Sequence, residues 1–81
     1  MSIDHLKDQL ASLACDGDHI LYRLIDLAKG QLDAALDDLA PDDLDELDGW
    51  LSRQFDDTSG AVRIRWGIIR GVFDSVRASL N

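Results

Sequence analysis

Apolar residues recur along the chain at alternating steps of three and four, and turn-forming residues interrupt the recurrence three times. Ile3, Leu6, Leu10 and Leu13 step +3, +4, +3, a one-sided stripe that predicts a first helix over about 2–15. Ser2 is placed to cap it, with Asp4 in its first turn. "CDGD" then breaks the pattern, because Gly17 and two aspartates favour a turn. Leu21, Ile25, Ala28, Leu32, Ala35 and Leu39 form a heptad seam, which predicts a second helix from an Asp18 cap to about Ala40. Ile20, Leu24, Leu27 and Leu36 widen that seam into the broad face of a bundle helix.

Pro41 ends the second pattern and suits the first position of the next helix. Leu44, Leu47, Leu51 and Phe55, with Trp50 alongside, give the third helix its apolar side, and "DDTSG" supplies the turn after it. Val62, Trp66, Ile69, Phe73, Val76 and Leu80 repeat the heptad stepping to about Leu80. Within this stretch residues 62–68 also alternate as a strand does. The helical pattern covers nineteen residues and the alternation seven, and no second strand is on hand to pair, so helix is the reading.

These segments predict an all-α fold: a single domain over residues 1–81, a small bundle of about four helices, with helices 2 and 4 the longest. The length adds a constraint. A chain of 81 residues buries a smaller fraction of its surface than a larger one does, and small folds gain stability from disulfides, metals or self-association. Cys15 is the one cysteine, so no internal disulfide forms, and no Cys/His spacing matches a zinc site. A homodimer is therefore expected.

Charge narrows the function. Sixteen acids oppose eight bases, a net of −8, which argues against direct binding to nucleic acid. No apolar run is long enough to cross a bilayer and the first residues do not resemble a signal peptide, so a cytoplasmic protein without membrane contact is expected. The bases are not evenly spread. Residues 1–58 hold fifteen acids and four bases, whereas residues 59–81 hold one acid and four bases. With Trp66 at heptad position a, Arg63, Arg70 and Arg77 all fall at e, flanking the seam where charges select a partner and its orientation. Asp26, Asp33 and Asp37 on helix 2 are candidates to pair with them, within one chain or across a dimer. Ile64, Gly67, Ile68, Gly71, Ser75 and Ala78 form a second, small or apolar side of helix 4. Arg63, Trp66, Arg70, Phe73 and Arg77 are thus the candidate contacts for another protein, since Arg and Trp often dominate interfaces.

The acids are concentrated as well. Residues 31–57 hold ten acids and one base. Asp37, Asp38, Asp42, Asp43, Asp45, Glu46 and Asp48 make the candidate acidic surface, able to steer toward a basic target or to imitate a phosphate backbone. A calcium loop is a poor match: the third acid comes one residue late, and position twelve from Asp43 is Gln54 rather than Glu. "CDGDH" gathers Cys15 and His19, but its acidic neighbours disfavour a thiolate. No catalytic, metal or cofactor site is assigned.

In size and acidity the chain is similar to the small proteins that phages and mobile elements use to inhibit host machinery. The likeness is one of bulk properties. It implies a non-enzymatic inhibitor or adaptor that binds and blocks a larger protein, itself a possible nucleic-acid binder. The alternative is a self-assembling structural or accessory subunit whose arginines only specify the dimer.

Overall fold

The computed structural model describes residues 3–15 and 20–80. They form four helices: α1 (Ile3–Cys15), α2 (Leu21–Ala35), α3 (Pro41–Asp57) and α4 (Gly60–Ser79). A 3-10 turn, Leu36–Asp38, prolongs α2, so that the second helical unit covers 18 residues and α4, the longest, covers 20. The architecture is an all-α bundle of four helices. The caps expected at Ser2 and Asp18, the turn after Cys15, and His19 lie outside the described residues.

Each boundary has a local cause. Ile20 is extended before α2 and accepts the first helical hydrogen bond from Leu24 N–H. Ala40 does the same for Leu44 before α3, where Pro41 takes the first turn and lacks only an N–H that has no helical partner there. At the end of α3 the Thr58 hydroxyl donates to the carbonyl of Gln54 at 2.8 Å, satisfying a terminal acceptor. The chain then turns through Ser59 and Gly60. Gly60 has φ +65°, a left-handed conformation that a side chain disfavours. The segment that also alternated with a strand's period is helical throughout α4.

α4 is the central helix and touches each of the other three. It buries Trp66, Ile69, Phe73 and Val76, four members of its heptad seam. Against them pack Leu6, Leu10 and Leu13 of α1 and Leu47 and Leu51 of α3. Trp50 meets Trp66 edge to face, 5.3 Å between ring centroids.

Helix α2 departs from the expected seam. Its core residues are Leu24, Ala28, Leu32 and Ala35, with Leu36 from the turn that follows. Leu21 and Ile25, expected in the seam, are 53% and 40% exposed. The reason is the width of its apolar arc. α1 and α4 cover only part of it, and the remainder faces outward on the side toward α4.

Candidate interaction surfaces

The arginines of α4 lie along its border with α3, not α2. The Arg63 guanidinium stacks over the Phe55 ring, 4.4 Å from the centroid. Arg77 donates to the Asp45 carboxylate as an ion pair. Arg70 stands between them in sequence, half-buried, and its Nε finds no acceptor among the described residues. Pairing of the stripe with Asp26, Asp33 or Asp37 within the chain is therefore corrected: the antiparallel neighbour of α4 on this side is α3. A fourth arginine, Arg65, faces the other way and donates to the Ala14 carbonyl at 3.3 Å, near the negative C-terminal end of α1.

Trp66 and Phe73 are 1% and 0% exposed. As placed, they hold the core together, and a partner reaches them only if the bundle opens. The arginines were legible as a stripe; the aromatic beneath Arg63 was not, because heptad positions do not say which helix lies opposite.

The acidic residues occupy one end of the molecule. Asp37 and Asp38 close the 3-10 turn, and Asp42 and Asp43 follow Pro41 in the first turn of α3, where a helix N-terminus favours negative charge. Asp45, Glu46 and Asp48 continue along α3. Asp43 and Asp48 are half-buried; the other five are exposed. Arg77 reaches Asp45 from α4, and Lys7 reaches Glu46 from α1 at 3.4 Å. Lys7 also lies over the Trp50 ring, 5.8 Å from its centroid.

A third surface is apolar. Ile20, Leu21, Tyr22 and Ile64 are 56%, 53%, 70% and 57% exposed, and together with Ala61 and Arg65 they line one hollow between α2 and α4. A neighbouring groove of about 430 Å³ is lined by Ile25, Lys29, Ile68, Gly71, Val72 and Ser75, with Val76 at its base. Exposed Ile, Leu and Tyr side chains gathered on one face mark a contact surface more than scattered ones do. The wide apolar arc of helix 2 was the sequence signal for it.

Among the described residues, no group of three His, Cys, Asp or Glu side chains is arranged to hold a metal ion, and no helix is long and apolar enough to cross a membrane. Cys15 is an exposed free thiol at the end of α1. No protein-family model, curated protein or solved structure matches the chain. The functional reading rests on these surfaces.

Proposed function

We propose that the chain is a non-enzymatic protein-binding module, an acidic inhibitor or adaptor that presents the turn between α2 and α3 and the first half of α3 to a basic surface of a larger protein. The observation that supports this reading most is the sorting of charge. Five exposed acids, Asp37, Asp38, Asp42, Asp45 and Glu46, project from one end of the bundle. The nearest bases, Lys7 and Arg77, answer only two of them. Such a face gains association rate toward a basic target, and a groove that binds nucleic acid is one target of that kind. Arg77 borders this face through Asp45, whereas Arg63, stacked on Phe55 toward the far end of α3, serves it only by fixing α4 against α3.

The experiment is capture of a partner from lysate of the native host, followed by a salt series and competition with duplex DNA. The reading expects one stoichiometric basic partner, released by added salt. If the partner binds nucleic acid, DNA displaces the chain from it. Binding that is indifferent to salt would count against the acidic face.

A self-assembling accessory subunit is the second reading. The exposed apolar face of α2 and α4 favours it, because a lone small domain leaves such a face uncovered at a cost in solubility.

A further inference from the structure

We draw no further inference here: the strongest candidate, the apolar groove between α2 and α4 lined by Ile25, Ile68, Gly71, Val72 and Ser75, is an unpartnered face, and nothing in the structure shows what covers it.

Discussion

The Arg63 guanidinium lies over the ring of Phe55, 4.4 Å from its centroid, and the same ring comes within 3.1 Å of the point where a Cβ on Gly67 would stand. One aromatic of α3 thus holds both a cation and a close helix contact from α4. The stripe of arginines is, first of all, part of how these two helices are set against each other.

That assignment has consequences for stability. Arg63→Gln removes a stacked cation and is expected to cost about 0.5–1 kcal/mol. Arg77→Gln breaks an ion pair whose side chains are 32% and 71% exposed, so its cost is expected between about 0 and 1 kcal/mol. Arg70→Met replaces a buried, unpartnered Nε with apolar atoms of similar shape, and stability is expected to stay within about 1 kcal/mol of wild type, on the stabilising side. Urea denaturation of the three variants measures all of this. A loss above about 3 kcal/mol at Arg70 would reveal a buried charge interaction beyond those described above.

Trp66 and Phe73 belong to a different class. Phe73 is fully buried, and Phe73→Ala is expected to cost about 3–5 kcal/mol, a large share of the stability of a domain this small. Near-ultraviolet circular dichroism should lose its fixed aromatic signal in this variant, and the thermal transition should broaden or vanish. A variant that keeps a cooperative transition near the wild-type temperature would remove Phe73 from the core.

Two glycines are expected to respond in opposite directions. Gly30 sits inside α2, and a Cβ added there would meet nothing within 4 Å. Gly30→Ala should therefore stabilise by about 0.5–1 kcal/mol and raise the melting temperature by about 4–8 °C per kcal/mol. Gly60 has φ +65°, so Gly60→Ala should destabilise by about 1–2 kcal/mol although space is available. Paired thermal melts decide the matter; equal shifts of the same sign would contradict the backbone conformation assigned at Gly60.

Periodicity made the helices readable, because a one-sided stripe such as Leu6, Leu10 and Leu13 leaves a single face to bury, and those three are buried. It was less informative for α2. Leu21, Leu24, Ile25 and Ala28 all lie on its apolar arc, and a sequence does not say how much of an arc the other helices can cover. Leu24 and Ala28 went inward and Leu21 and Ile25 outward. The partners of the arginines were hidden for a related reason. Heptad position e fixes the edge of α4 that Arg77 occupies, but only the order of helices around the core puts Asp45, rather than an aspartate of α2, beside it. The acidic end was legible directly, since Asp42 and Asp43 follow Pro41 in sequence and remain together in the first turn of α3.

The acidic end also offers the most direct test of function. Asp37, Asp38 and Asp42 are exposed, so replacing all three by Asn should leave the fold intact and ease like-charge repulsion. The decisive measurement is capture of the host partner by wild-type protein and by this triple variant from the same lysate, at low and at high salt. The expected result is a partner held by the wild type at low salt and lost both on adding salt and on neutralising the three aspartates. A partner held equally by both proteins at both salt concentrations would contradict a binding role for the acidic face.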